Sequence, residues 1–287
     1  MLHPIVPISD FLCGKGERLT LFAGPCVIES RELVMRIAEE LKRQMKTVPV
    51  NLVFKSSYDK ANRTSGGSFR GEGGSAEERM IHGLKILAEV KREFELPIIT
   101  DVHESWQAAP AAEVCDVLQI PAFLARQTDL LEAAARAAIK FSRAIHVKKG
   151  QFMAPGDMRH VLKKLDDFGA ENVLLGERGT FFGYGRLVND MCGLVTMREM
   201  GVPVVFDATH SVQEPGGPGG VTGGNRKMVP YLARAATAVG VDAIFLETHD
   251  DPDHAMSDGP NMIPLADVGE LMKKLAEIHE ILRISHV

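Results

Sequence analysis

Eight short apolar runs recur along the chain, interleaved with longer amphipathic stretches, and that alternation restricts the fold more than any other feature of the sequence. The runs occupy residues 19–23, 51–55, 97–101, 116–120, 144–148, 172–175, 203–207 and 243–247. They are rich in Val, Ile, Leu and Phe without strict alternation, the pattern of strands covered on both faces. The stretches at 31–46, 77–94, 128–140, 158–168, 187–200, 227–239 and 265–284 carry apolar residues at helical spacing; in the first, Leu33, Val34, Ile37, Ala38 and Leu41 share one face. Strands alternating with helices close into a barrel or wind into an open sheet. Eight repeats in 287 residues, roughly 36 residues each and so the size of a βα unit, favour closure. The expected fold is therefore α/β, a (β/α)8 TIM barrel forming a single domain over residues 1–287. Residues 2–18 make a short N-terminal extension placed to cover the barrel bottom.

Composition narrows the function. A hydrophobic fraction of 45% and a charged fraction of 25% belong to a globular chain with a sizeable core. The net charge of −5 argues against nucleic acid and anionic membranes as partners, while leaving room for a local basic pocket. Cys13, Cys26, Cys115 and Cys192 show no CxxC spacing, which points away from zinc ribbons and disulfide scaffolds and toward a reduced, cytoplasmic compartment. No secretory leader and no apolar run of about 18 residues is evident.

In a closed barrel the strand ends share one mouth. In chain order those ends bring Cys26, Lys55, Asp101, Gln119, Lys148, Arg178, His210 and Glu247, nearly all polar or ionisable at the end of an apolar run. A charge closing a buried strand requires a partner or a ligand. Lys55, Lys60, Arg63, Lys148 and Arg178 form a cationic group suited to phosphate and carboxylate, more than a single phosphate needs. Cys26, His210, Glu247 and Asp258 offer a thiolate, an imidazole and two carboxylates, a donor set for a divalent metal. Their wide separation gives no metal signature, and a buried structural thiol remains open for Cys26. Two Gly-rich segments, 64–75 and 213–224, fall on this face and read as lids over the site.

Eight motifs make a resemblance specific: AGPCVIES (23–30), FKSSYDKANRTS (54–65), ITDVHE (99–104), LQIPAFLARQTDL (118–130), VKKGQFMAP (147–155), GERGTFFGYGRLVNDM (176–191), VFDATHSVQEPGG (205–217) and FLETHDDPDHAMSDG (245–259). In this order they closely resemble the 3-deoxy-D-manno-octulosonate 8-phosphate synthase family over residues 5–280. The resemblance implies a barrel, a homotetramer, and condensation of phosphoenolpyruvate with D-arabinose 5-phosphate and water, a step toward lipopolysaccharide. It implies that Lys55, Lys60, Lys148, Gln151 and Arg178 hold phosphoenolpyruvate. Asn62, Arg63 and Ser65, with the loop from Ser68 to Arg70, would hold the sugar phosphate, and Asp101, Gln119 and Phe123 would line the site or its subunit border. Lys60, Lys148, His210 and Asp258 would serve in catalysis. Cys26, where metal-independent relatives carry Asn, places the chain with the metal-requiring class; Cys26, His210, Glu247 and Asp258 would then bind iron, zinc or manganese. The Lys60-Ala61-Asn62-Arg63-Thr64 segment resembles the octulosonate enzymes, whereas heptulosonate 7-phosphate synthases typically read Lys-Pro-Arg-Thr there. A heptulosonate synthase, a sugar-phosphate-cleaving aldolase and a non-catalytic phosphosugar-binding protein are the competing readings.

Overall fold

The computed structural model describes residues 1–61, 66–181, 183–215 and 223–284. Two antiparallel strands, β1 (Ile5–Ile8) and β2 (Phe11–Gly14), precede the barrel. The barrel strands are β3 (Thr20–Gly24), β4 (Asn51–Lys55), β5 (Ile98–Asp101), β6 (Val117–Ile120), β7 (Ala144–Lys148), β8 (Val173–Glu177), β9 (Val204–Asp207) and β12 (Ala243–His249). Short pairs β10 (Gln213–Glu214) with β11 (Gly223–Gly224), and β13 (Ile263–Pro264) with β12, decorate the rim. All eight barrel strands are parallel to their neighbours. Closure comes from β12, where Ala243 pairs with both Thr20 of β3 and Val205 of β9.

The doubly buried runs have a simple cause. Successive strand residues face opposite sides, so odd and even positions enter two separate cores. Leu21, Ala23, Leu52, Phe54, Ile145, Val147, Ile244 and Leu246 face the helices. Phe22, Val53, Ala144 and Phe245 face inward. The inward series continues by parity to Lys55, Lys148 and Glu247 at the mouth. At the other end, Val6, Ile8 and Cys13 of the hairpin pack on Val117, Leu174, Val205 and Ala243, so the extension plugs the barrel bottom as expected.

The helices are α1 (Arg31–Met45), α2 (Ala76–Phe94), α3 (Ala108–Val114), α4 (Thr128–Phe141), α5 (Met158–Asp167), α6 (Met191–Arg198), α7 (Val229–Val239) and α8 (Val268–Ile284). Ser30 caps α1, and Ser75 with Glu78 forms a reciprocal capping box on α2. Helix α3 is absent from the sequence reading: AAPAAEV is too short and uniform to show a periodicity, and its proline sits in the first turn, where it is tolerated. Helix α6 is shorter than the 187–200 expectation, because Val188 bridges Thr180 and Asp190 caps Cys192. The 172–175 run extends to Glu177, two residues nearer the mouth.

Candidate active site

Seven of the eight strand-end residues (Lys55, Asp101, Gln119, Lys148, Arg178, His210 and Glu247) line one cavity of about 240 Å3 at the mouth. Cys26, the eighth, lies buried behind that wall. Phe123 and Gln151 are also in the lining; Phe123 is half exposed and Gln151 is buried.

The cations are held by carboxylates from distant strands. Lys55 Nζ donates to Glu247 Oε1 at 2.5 Å and to the Cys26 carbonyl at 2.8 Å. Lys148 Nζ donates to Asp207 Oδ2 at 2.6 Å and lies 3.7 Å from the centre of the Phe245 ring. Lys60 Nζ sits more loosely, 3.8 Å from Asp101 and 3.6 Å from Glu247. Arg178 is only 6% exposed. One of its nitrogens, Nη2, donates to Gln213 Oε1 at 2.5 Å, while Nη1 is buried with no hydrogen-bond partner among the described residues. Such a donor at a cavity wall is a ready anion contact.

The carboxylates are ionised by this company. Burial alone would raise Asp101, but Lys60, Lys55, His103 and Lys148 outweigh it and hold the carboxyl far below the usual range. Asp207 is likewise opposed by burial and driven down by His210 and Lys148. Its Oδ2 lies 2.8 Å from His210 Nδ1, and its Oδ1 accepts the His210 backbone N–H at 2.9 Å. Glu247, opposed by burial, is pulled down by Lys55, His210 and Lys60. For Lys148, burial prevails over Asp207 and lowers the ammonium from its ordinary value.

Beside these lies a mixed donor cluster. Ligand atoms of Cys26, Glu247 and Asp258 all fall within 4.8 Å of one another. His210, the fourth expected ligand, is outside that group of three but has its Nε2 3.7 Å from Glu247 and 3.9 Å from Asp258. Cys26 Sγ contacts Asp258 Oδ2 at 3.3 Å and Ser257 Oγ at 3.0 Å. Glu247 Oε2 is buried and lacks a hydrogen-bond partner among the described residues, an acceptor that a cation would satisfy.

The model of the DAHP synthetase I family matches residues 4–283. The chain belongs to that family. It is 56% identical over 270 residues to the 2-dehydro-3-deoxyphosphooctonate aldolase of a Synechococcus strain, covering 94% of this chain and 92% of that protein. A protein of the same name from Rhizobium meliloti is 56% identical over 261 residues (91% and 90%). Another from Geobacter metallireducens is 51% identical over 278 residues (97% and 98%).

Set against the family motifs, most expected site residues meet at one mouth. Asn62, Arg63 and Ser65 lie outside the described residues, as do parts of both Gly-rich segments. Arg70, expected as part of the sugar-phosphate loop, places its guanidinium on buried Asp59 by two contacts of 2.9 and 2.6 Å, an ion pair that braces the loop. Three residues escaped the sequence reading. Asp207 anchors Lys148 and His210. His103 lines the cavity with Nδ1 buried and unpartnered among the described residues. Lys149, wholly buried, joins two mouth loops through Met153 O at 3.2 Å and Thr180 Oγ1 at 3.1 Å. His103 stood inside the quoted ITDVHE motif, two residues past Asp101, and that position was the available signal.

Proposed function

We propose that the chain condenses phosphoenolpyruvate with D-arabinose 5-phosphate and water, giving 3-deoxy-D-manno-octulosonate 8-phosphate and inorganic phosphate for lipopolysaccharide synthesis. The observation that carries this reading is the convergence of Lys55, Lys60, Lys148 and Arg178 on a single cavity, with an Arg178 N–H left for an anion. The printed names of the relatives, 2-dehydro-3-deoxyphosphooctonate aldolase, support it.

Carbon 3 of phosphoenolpyruvate forms a bond to the aldehyde carbon of the open-chain sugar, whose oxygen takes up a proton. Positive character at carbon 2 is captured by water, which gives up a proton. The resulting hemiketal phosphate loses inorganic phosphate by C–O cleavage and leaves the 2-keto acid. Lys60, Lys148 and Arg178 bind and orient the anionic groups, cutting the entropy of bringing two anions together. Asp207 beside Nδ1 steadies the His210 ring and turns Nε2 toward Glu247 and Asp258.

Cys26, His210, Glu247 and Asp258 fit a divalent ion such as iron, zinc or manganese, on the strength of their mixed S, N and O donors and the orphaned Glu247 oxygen. When bound, such an ion supplies Lewis acidity at that side of the mouth. A cytoplasmic homotetramer working on small molecules completes the proposal; among the described residues no helix is long and apolar enough to cross a membrane.

The test is substrate-dependent phosphate release with arabinose 5-phosphate and erythrose 4-phosphate in parallel. Arabinose 5-phosphate is expected to give the higher kcat/KM. An equal or higher value for the four-carbon sugar would reject the octulosonate assignment.

A further inference from the structure

Deep in the barrel a titratable side chain has no place in the reaction just described. His146 stands on β7, one inward position below Lys148, and is wholly buried. Its ring stacks on Phe22 at 5.9 Å with 7° between the planes, and Phe245 tilts over it at 6.5 Å. On another side the backbone of Gly176 presses close: a Cβ there would come within 2.4 Å of His146 Nε2. The ring therefore cannot turn freely. Its Nδ1 meets Gln119 Oε1 at 3.1 Å, while Nε2 has no hydrogen-bond partner among the described residues.

We propose that His146 is a positioning residue that fixes the Gln119 amide, holding its NH2 group toward Asp101 and the cavity. The hydrogen-bond order admits one solution. Asp101 accepts from Gln119 Nε2 at 2.6 Å and from Ser57 Oγ at 2.7 Å. An ionised carboxylate only accepts, so the amide must offer it nitrogen and turn its oxygen toward His146. A carbonyl oxygen only accepts as well, so His146 carries its hydrogen on Nδ1. Burial, helped by nearby Lys148, pushes the imidazole down to about 3, which keeps this neutral tautomer in place at working pH. An amide nitrogen has two hydrogens. With one given to Asp101, the second is left for a substrate oxygen in the cavity that Gln119 lines.

The kinetic part of this inference rests on the function proposed above; the tautomer does not. Nitrogen NMR of labelled histidine, with His146 assigned by its loss in His146→Asn, is expected to give a neutral Nδ1–H tautomer unchanged from about pH 5 to 8. A hydrogen on Nε2, or titration in that range, overturns the inference. In turnover, His146→Leu is expected to lower kcat/KM about tenfold, since a buried acceptor loses its donor. His146→Asn, whose amide can donate from nearly the same place, recovers most of that loss. Gln119→Leu falls further, and adding His146→Leu to it costs nothing more, because the group served is already gone. Additive losses, or equal losses for Asn and Leu in proteins of matched thermal midpoint, mean that His146 only fills space, and would overturn the inference. If the wild-type chain releases no phosphate from the two substrates, the functional reading fails, and the NMR result still decides for or against His146.

Discussion

Truncating Arg178 separates anion binding from fold. Its backbone N–H donates to Glu177 Oε1 at 2.8 Å, so the chain direction at the end of β8 does not depend on the guanidinium. The side chain gives Nη2 to Gln213 and leaves Nη1 buried and unpartnered among the described residues. Arg178→Ala therefore removes one internal hydrogen bond and the contact offered to substrate. The first loss exposes Gln213 Oε1 to a cavity that water can enter, costing about 1 kcal/mol. In a chain of this size that lowers the thermal midpoint by about 2–4 °C. The second loss is a charge-assisted contact of about 1.5–3 kcal/mol, a fall of roughly 10–150-fold in kcat/KM for phosphoenolpyruvate. Arg178→Lys keeps the charge without the fork and should fall between the two. The assay is phosphate release against phosphoenolpyruvate concentration, with thermal melts on the same preparations. A folded Arg178→Ala protein with unchanged kcat/KM would refute the assignment of this group to the anion.

Stability should decline in acid in two stages. His146 is buried neutral and pushed down to about 3, and His103 is also lowered by burial, so the unfolded chain binds more protons once pH falls below about 6.5. His146 alone costs about 1.4 kcal/mol per pH unit in that window, and His103 adds to it in the same direction. Asp101, Asp207 and Glu247 are held below their ordinary values, so their contribution is intact above about pH 4 and is lost only below it. Urea titrations between about pH 7 and 4.5 should show the first slope, reduced in His146→Asn; a flat profile would contradict it. At Gly24, an added Cβ would lie 1.9 Å from the Lys55 carbonyl. Gly24→Ala must therefore push β3 from β4 and displace Lys55, with a drop in thermal midpoint and activity together; a stable, fully active variant would show that the strands yield at no cost.

The legible part of this chain was the part written in short-range pattern. Two-sided apolar runs gave the strands, and the polar residues ending those runs gave Lys55, Lys148 and Glu247 at the mouth. What escaped is set by approaches between distant strands. Asp207 ends a strand like any polar residue; only the 2.6 Å approach of Lys148, 59 residues away, makes it an anchor. His146 reads as a lone polar residue in an apolar run until the barrel closes Phe22 and Gly176 around it. Nothing in the spacing shows that Arg70 gives Nε and Nη2 to Asp59, eleven residues before it. Helix α3 left no trace because seven mostly small residues show no stripe.

The count of cations in the sequence also overstates the pull of the mouth on anions. Lys55, Lys60, Lys148 and Arg178 face Asp101, Asp207, Glu247 and Asp258, four charges against four among the described residues. Among the described residues the mouth is thus close to neutral before any ligand arrives, and the internal pairs serve to hold the lysines in place. Two anionic substrates call for positive charge beyond these pairs; Arg63, outside the described residues, is one source, and a divalent ion at the Cys26, Glu247 and Asp258 cluster beside His210 would be another. Metal and phosphoenolpyruvate should accordingly bind with positive coupling, typically about 1–3 kcal/mol or 5–150-fold. Linkage requires reciprocity: the substrate must tighten the metal by the same factor that the metal tightens the substrate. Calorimetric titration of phosphoenolpyruvate into chelated and metal-restored protein measures one arm. Metal retention during dialysis with and without phosphoenolpyruvate, read by elemental analysis, measures the other. Cys26→Ala should lower the metal content and erase the coupling, whereas Cys26→Asn tests whether an amide at that position restores turnover in chelated protein. Equal phosphoenolpyruvate affinity with and without metal would mean that the internal carboxylates do not compete with substrate for the lysines, and the neutral-site argument would fall.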